Sequence, residues 1–590
     1  MKKKSKLKIF LTIISFIILV AYFYIIYPMW GMPFNSQRHG KLPLTPAWVL
    51  ECWLWEDDVN TAAYVDELLE GYTEHDIPVR TIIIDSPWSL RYNDFEVDTL
   101  RYPNPKEWFK KLEDNKYRVV LWMTPLVNRY SKDTKIRDSQ EWANKALKKG
   151  YLISNDTGVN WWKGVGGFID YTNSEAVSWW HGLQNTVFDY GIDGWKLDGA
   201  ATLNWTEIFG MPFFYRTSSK GMITTREYMD LYYRNEYHYG LKKNPEFITL
   251  SRSIDREYIH PEGFAPFDAS PVNWVGDQKH TWDSYNTSDS ENNADLVMNG
   301  IRGIEMALDH IMASAKLGYN IIGSDVAGFS GKEIPPRLYI RWAEFSTFCG
   351  LFMNGGHGER RLWKRTNEEL EIIRKFSWLH TELLPYMYHY VVTAHNNGRR
   401  LQTPMDNGKY HYMFGDYFLV APIYQDTKIN SVTLPVGEWR YFFDDSKLIH
   451  GQQTFEKEFP MDEYPVFVKE GAIIPMNIKR DYTKIGNENS EGFITILIYP
   501  SGKNSFTFYH PDSKKKTEIS YNKTDAILSI QIADTKIPHI LNIYTERVPS
   551  KIELDGEQLE ENINWNYNST KHKLIIRTAN YKNGNYRIKY

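Results

Sequence analysis

Two aspartates close short apolar runs beside tryptophan: Asp198 in Gly-Trp-Lys-Leu-Asp-Gly and Asp277 in Asn-Trp-Val-Gly-Asp. A carboxylate pair suits glycoside cleavage, because one group must attack or stabilise an oxocarbenium-like centre while the other protonates the departing oxygen. Neither acts usefully alone. Trp195 and Trp274 place a ring near each carboxylate, where a pyranose face packs. The competing reading is structural, since an Asp at a strand end commonly caps the following helix. Taken singly, the two residues leave both readings open.

The elements that must position them alternate along the chain. Between residues 45 and 360, eight apolar strand-like runs are separated by longer stretches, several of them amphipathic, such as Asn60 to Glu74, Ser174 to Tyr190 and Leu296 to Leu317. The runs are WVLECWLW from Trp48, VRTIIID to Asp85, RVVLWMTP to Pro125, GWKLDG around Asp198, FITLSR to Arg252, NWVGD to Asp277, NIIGSD to Asp325 and FCGLFMN from Phe348. Eight β/α units predict a closed parallel (β/α)8 barrel, with the active site at the carboxyl ends of its strands. Those ends carry Asp85, Trp122, Asp198, Arg252, Asp277 and Asp325. So many polar groups on one rim exceed the chance content of strand-to-loop junctions.

A helix over Asn367 to Val391 follows, and then the pattern changes to short runs punctuated by Gly, Pro, Asn and Asp, which reads as all-β. The expected organisation is a stub and membrane helix over 1–30, a catalytic barrel over 45–395, a proximal β-sandwich over 396–477 and a distal one over 478–590.

The order of the motifs resembles glycoside hydrolase family 31, retaining α-glycosidases built on a barrel with β-sandwich modules. The resemblance covers roughly residues 45–480 and runs through IIIDSPWSLRYNDFEVD, WWKGVGGFIDYTNSEAVSWW, GWKLD, SRS, NWVGD, IIGSDVAGF, FGDYFLVAPI and PVFVKEGAIIPM. It implies Asp198 as nucleophile and Asp277 as general acid/base. Arg252 would contact sugar hydroxyls, Trp274 and Phe329 would wall the first subsite, and Asp325 would support the charged cluster. His357 falls where the family places a substrate-contacting His. Lys196 stands at a position that is Trp in α-glucosidase-like members and Lys in xylosidase-like ones. Trp122 and Trp162 match a strand-end and a loop position. The implied activity is hydrolysis of terminal α-linked sugars through a covalent glycosyl-enzyme, with no metal and no organic cofactor. Transglycosylation, or a membrane-anchored carbohydrate-binding protein without activity, are the alternatives.

Departures from the family pattern bear on the sugar, which is of galactose, glucose or xylose type. Pro87 stands where α-glucosidase-like members have a second Asp gripping the distal hydroxyls, and Trp88 beside it is expected to pack against sugar carbons. Gly199-Ala200-Ala201 follows the nucleophile in place of the usual run to Glu, and the His357 loop, GGHGERRLWK, lacks an acidic Glu-Pro step. Arg252 lies 25 residues before Asp277, which predicts an extra loop over the site. The N-terminal β-sandwich customary in the family is expected to be absent.

Composition narrows the partners. Lys plus Arg (69) against Asp plus Glu (73) gives −4, so no basic surface recommends nucleic acid. Aromatic content of 15% favours an oligosaccharide or glycoside. Two cysteines allow at most one disulfide and no four-cysteine zinc site, and the histidines show no metal-ligand spacing. Lys2, Lys3, Lys4, Lys6 and Lys8 precede an uncharged run from Ile9 to Tyr27, long enough to span a lipid bilayer. The basic flank places the remainder on the extracytoplasmic side, with Tyr22, Tyr24, Tyr27 and Trp30 at the far interface. No small-x-small cleavage site follows the run, so a single-pass anchor is expected rather than a secreted protein released by signal cleavage.

Overall fold

Predominantly apolar runs such as Thr81–Ile84 are buried at every position, the signature of parallel strands covered on both faces. The computed structural model describes residues 2–27, 40–133, 138–199, 207–208, 211–212, 215–254, 265–283, 303–511, 515–533, 538–578 and 584–590. In it, eight parallel strands follow one another around a barrel: β1 (Trp53–Leu54), β2 (Thr81–Ile84), β3 (Arg118–Met123), β4 (Gly194–Leu197), β5 (Ile248–Arg252), β6 (Val272–Trp274), β7 (Ile322–Gly323) and β8 (Met353–Asn354). Strand β1 pairs with both β2 and β8, and a parallel bridge between Asp325 and Met353 joins the end of β7 to β8. The sheet thereby closes, in the predicted order.

The run from Trp48 is strand only at its end, because Ala47–Leu50 forms a 3-10 turn with Trp48, Val49 and Leu50 buried. An apolar run does not distinguish a buried turn from a strand. Helices Ala62–Glu74 and Ser174–Phe188 begin at Thr61 and Asn173, whose side chains accept from backbone N–H groups of the first turn. The helix expected from Leu296 is described from Ile304 to Leu317; residues 296–302 lie outside the described part. The helix expected over Asn367 to Val391 is two helices, Asn367–Glu382 and Leu384–His395. Pro385 lacks an N–H and is tolerated only in a first turn, so the helix restarts there.

After β3 the chain leaves the barrel to form a three-stranded antiparallel sheet from Leu126–Ser131, Val159–Trp161 and Gly164–Phe168. This sheet holds the Trp161-Trp162 turn over the rim. Gly164 has φ +149°, and a Cβ there would stand 1.9 Å from the carbonyl oxygen of Tyr130, so only glycine closes the turn.

Beyond the barrel the described elements form β-sheets. Six strands between Gln402 and Lys469 make one sheet, with Ile429–Leu434 and Gln453–Glu458 paired beside it. Five- and six-stranded sheets follow, reaching Lys589. Ile473–Met476, on the N-terminal side of the boundary expected at 477/478, pairs antiparallel with Ile494–Ile498 and belongs to the later five-stranded sheet. At the N-terminus, Lys6–Tyr24 forms a helix of 19 residues with mean hydropathy 2.2, long and apolar enough to cross a membrane. Cys52 and Cys349 are both free and buried; burial pushes the Cys52 thiol up to about 12.

Candidate active site

Each of the eight strands sends a side chain from its carboxyl end into one cavity of ≈ 590 Å³. In strand order these include Asp57, Asp85, Trp122, Asp198, Arg252, Asp277, Phe329 and His357. Such convergence follows from the fold, because parallel strands of a barrel all end on the same face.

Asp198 follows the last residue of β4, its backbone N–H bonded to Met123 O at 3.0 Å. Its Oδ1 accepts from Gly199 N at 2.9 Å and from Arg252 Nε at 3.3 Å, and its Oδ2 accepts from Trp122 Nε1 at 3.3 Å. Arg252 reaches the second carboxylate as well, with Nη2 2.8 Å from Asp277 Oδ2. The guanidinium therefore bridges both aspartates, and these contacts, rather than helix capping, occupy their carboxylates. Burial works to raise the Asp277 carboxyl, but Arg252, assisted by Lys196, outweighs it and holds the group below the usual carboxylate value.

Beneath this pair lies an ionic cluster, largely buried, of which Lys196 and Asp85 also line the cavity. Lys196 Nζ donates to Asp85 Oδ2 at 2.7 Å and stands 3.7 Å from the Trp55 ring centroid and 5.5 Å from that of Trp274. Burial works to lower the Lys196 ammonium, yet Asp85 and Asp325 prevail and keep it above the usual lysine value. Asp325 is 1% exposed and accepts from Trp55 Nε1 at 3.2 Å. Burial, reinforced by the charge of Asp277 and opposed by Lys196, pushes its carboxyl up to about 7. It lies behind the cavity rather than on its wall.

The expected aromatic walls divide. Phe329 lines the cavity, stacked on Trp55 at 5.7 Å and adjoining His357 at 4.8 Å. Trp122 lines it through its edge, and Trp162, 45% exposed, stands at its mouth. Trp274 does not wall it: the ring is fully buried and lies under the Arg252 guanidinium at 4.8 Å. Trp88 is also displaced from its expected role. It is 2% exposed, donates from Nε1 to Trp122 O at 2.6 Å and stacks on Trp195, so it belongs to the core rather than to the cavity wall. Pro87 does line the cavity.

Asp57, Asp58, Asn60, Arg101, Asp133 and Lys163 also line the cavity, and the motif pattern did not single them out. Asp57 and Asp58 come directly after Trp55-Glu56, past the first strand, where the carboxyl-end rule used for the other carboxylates applied equally. Asp133 and Lys163 pair at 3.0 Å through the excursion after β3, which only the folded chain brings to the rim. Ala200, Ala201 and the segment 255–264 between Arg252 and Asp277, to which the departures in the motif pattern pointed, lie outside the described residues. Among the described residues no group of His, Cys, Asp and Glu is disposed to hold a metal ion.

Comparison with known proteins agrees with this architecture. Residues 42–390 match the glycosyl hydrolases family 31 TIM-barrel domain, and residues 386–474 the glycosyl hydrolase family 31 C-terminal domain. The isomaltosyltransferase of Sporosarcina globispora is 25% identical over 524 residues, covering 79% of this chain and 45% of that protein. An alpha-xylosidase of Emericella nidulans is 25% identical over 470 residues, covering 75% of this chain and 54% of that protein. The chain thus spans about half the length of these curated relatives. In fold it is similar to the cycloalternan-forming enzyme of Listeria monocytogenes, with a TM-score of 0.79 at 21% identity over 93% of this chain and 55% of the other. It is also similar to a Flavobacterium johnsoniae dextranase, with a TM-score of 0.78 at 22% identity over 93% of this chain and 72% of the other. With the barrel match alone spanning more than half of its residues, the chain belongs to glycosyl hydrolase family 31.

Proposed function

We propose that the chain is a retaining α-glycosidase acting on terminal α-linked sugars of galactose, glucose or xylose type. The observation that carries this reading is the pair Asp198 and Asp277, joined through Arg252 in one cavity at the carboxyl ends of the barrel strands. Asp198 attacks the anomeric carbon as Asp277 gives its proton to the leaving oxygen; Asp277 then takes a proton from water, whose oxygen displaces Asp198. Two inversions retain the configuration. Asp277 must carry a proton for the first step, whereas the Arg252 contact favours its ionised form. When Arg252 turns to the sugar hydroxyls that opposition weakens, and burial then favours the acid. Screening 4-nitrophenyl α-glucoside, α-galactoside and α-xyloside tests the reading, with the anomer released followed by NMR. Release of the β-anomer, or no release from any of the three by freshly purified full-length protein, overturns it.

Transfer of the glycosyl group to a second sugar instead of water is the alternative, kept because the similar proteins include an isomaltosyltransferase beside the alpha-xylosidases. Both outcomes share the covalent intermediate, and product analysis at high acceptor concentration separates them.

The helix Lys6–Tyr24, with its basic flank, supports a single-pass anchor holding the barrel on the extracytoplasmic side of the membrane. The full-length protein should stay in the membrane pellet after an alkaline wash. Recovery of soluble protein whose N-terminus lies near residue 30 would indicate signal cleavage instead.

A further inference from the structure

The loop after β1 is built as a rigid platform. Glu56 accepts from the backbone N–H groups of Asp58 and Val59, which fixes the turn that follows the strand. Asn60 Nδ2 donates to Asp57 O at 3.2 Å and to Ser86 O at 3.1 Å, so the backbone at Asp57 is fastened beside the residue preceding Pro87. Asp57 and Pro87 are therefore neighbours on the cavity wall.

The carboxylates around this point are differently occupied. Asp85 binds Lys196 through Oδ2 and its own following N–H, of Ser86, through Oδ1. Asp58 takes His357 Nδ1 at 2.6 Å and Gly358 N at 2.9 Å. Asp57 stands 3.1 Å from His357 Nε2 through Oδ2 and is also approached by the Asn60 side chain, fewer partners than a carboxyl group can take. Its side chain is 15% exposed, toward the cavity. Burial and the nearby Asp85 charge push it up to about 8, against Lys196, Lys163 and the Asn60 side chain. His357, held between Asp58 and Asp57 and packed on Phe329, fixes where it points.

Resting on the saccharide reading of this cavity, we propose that Asp57, steadied by the Asp58–His357 pair, grips a distal hydroxyl of the bound glycosyl unit, beside Pro87, which offers no side-chain acceptor. Asp57 is then a specificity-determining residue and Asp58 a positioning residue. The ligand class is a terminal pyranose with that hydroxyl free, so sugars substituted there are refused.

The test is calorimetric binding of free glucose, galactose and xylose to the detergent-solubilised full chain, with 4-nitrophenyl α-glycoside turnover measured alongside. Asp57→Ala should weaken the best-bound sugar about ten- to hundredfold, and Asp57→Asn, which keeps one acceptor oxygen, by less. Asp58→Asn should weaken binding by a smaller factor and raise KM while sparing kcat. The 4- or 6-deoxy form of that sugar should lose affinity for the wild-type protein and none further for Asp57→Ala. If Asp57→Ala melts at a lower temperature, the isosteric Asp57→Asn carries the test. Binding within twofold of wild type in both Asp57 variants, or no binding of any of the three sugars by wild type, overturns the proposal. Asp57-dependent binding without turnover leaves it standing and removes the hydrolase reading. Turnover with kcat/KM unchanged in both Asp57 variants does the reverse.

Discussion

Arg252 Nη2 stands 2.8 Å from Asp277 Oδ2. The contact sets the resting protonation of the group expected to act as acid, since Arg252 overcomes the effect of burial and keeps Asp277 ionised. Catalysis requires the opposite state, so occupation of the site must be coupled to proton uptake. The free carboxyl titrates low, and a complex whose acid is protonated carries one more proton than the free protein above that titration. Affinity for a neutral sugar should then fall as pH rises beyond it, up to about tenfold per pH unit. Calorimetry in two buffers of different ionisation enthalpy reads the uptake directly. Binding with no proton taken up would mean that Arg252 does not leave Asp277.

The two aspartates should separate by rescue. Asp198→Ala and Asp277→Ala each remove most activity on unactivated α-glycosides, with general acid catalysis worth about 10²–10⁴-fold. A dinitrophenyl leaving group departs without protonation, so it should restore formation of the glycosyl-enzyme in the Asp277 variant alone. Mass spectrometry of the trapped intermediate checks this, and equal behaviour of the two variants would undo the assignment.

The barrel was legible in the sequence because parallel strands covered on both faces are written as unbroken apolar runs, as residues 82–84 and 119–123 are. Its rim was legible because the fold dictates which strand ends converge, and Asp85, Asp198, Arg252 and Asp277 duly share one cavity. Side-chain direction was not. Trp88 and Trp274 adjoin catalytic-looking positions in sequence, yet both are buried, because an aromatic residue reads the same whether it faces a ligand or the core. Asp57 was within reach of the same strand-end rule, since it follows the first apolar run by two residues, but it belongs to none of the motifs that picked out the other carboxylates. Pairing also decides where Ile473–Met476 belongs, and the run IIPM does not specify its partner.

Lys196 and Asp85 form a buried ion pair at 2.7 Å, with side chains 5% and 8% exposed. Removing one partner strands the other charge away from water, which costs roughly 3–5 kcal/mol. Lys196→Met should therefore lower stability by about that amount, measured by denaturant unfolding. The double variant with Asp85→Asn should recover part of the loss, since it removes the stranded Asp85 charge while Asp325 still lacks the ammonium that opposed its burial. Additive losses would show that the two groups do not depend on each other.

Asp325 offers a test through pH, because its carboxyl is pushed up to about 7 by burial while an unfolded Asp titrates near ~3.9. Between those values the folded chain holds a proton that the unfolded chain has lost. Stability contributed by this group is complete below the unfolded value and is lost as pH rises through about 7. Asn at the same position mimics the protonated acid at every pH, so Asp325→Asn should carry no such loss. The melting temperature of the variant relative to wild type should climb between pH 4 and pH 8 and level off above, the total gain amounting to a few kcal/mol at most, roughly 1.4 per pH unit. Lys196 works against this gain, because the variant removes a negative charge that helps hold the ammonium in its protonated form. That opposition is already contained in the position of the Asp325 titration, which Lys196 lowers and burial still carries upward. A relative melting temperature that stays flat, or falls with pH, would mean that Asp325 is ionised in the folded protein at neutral pH and that Lys196, not burial, sets its state.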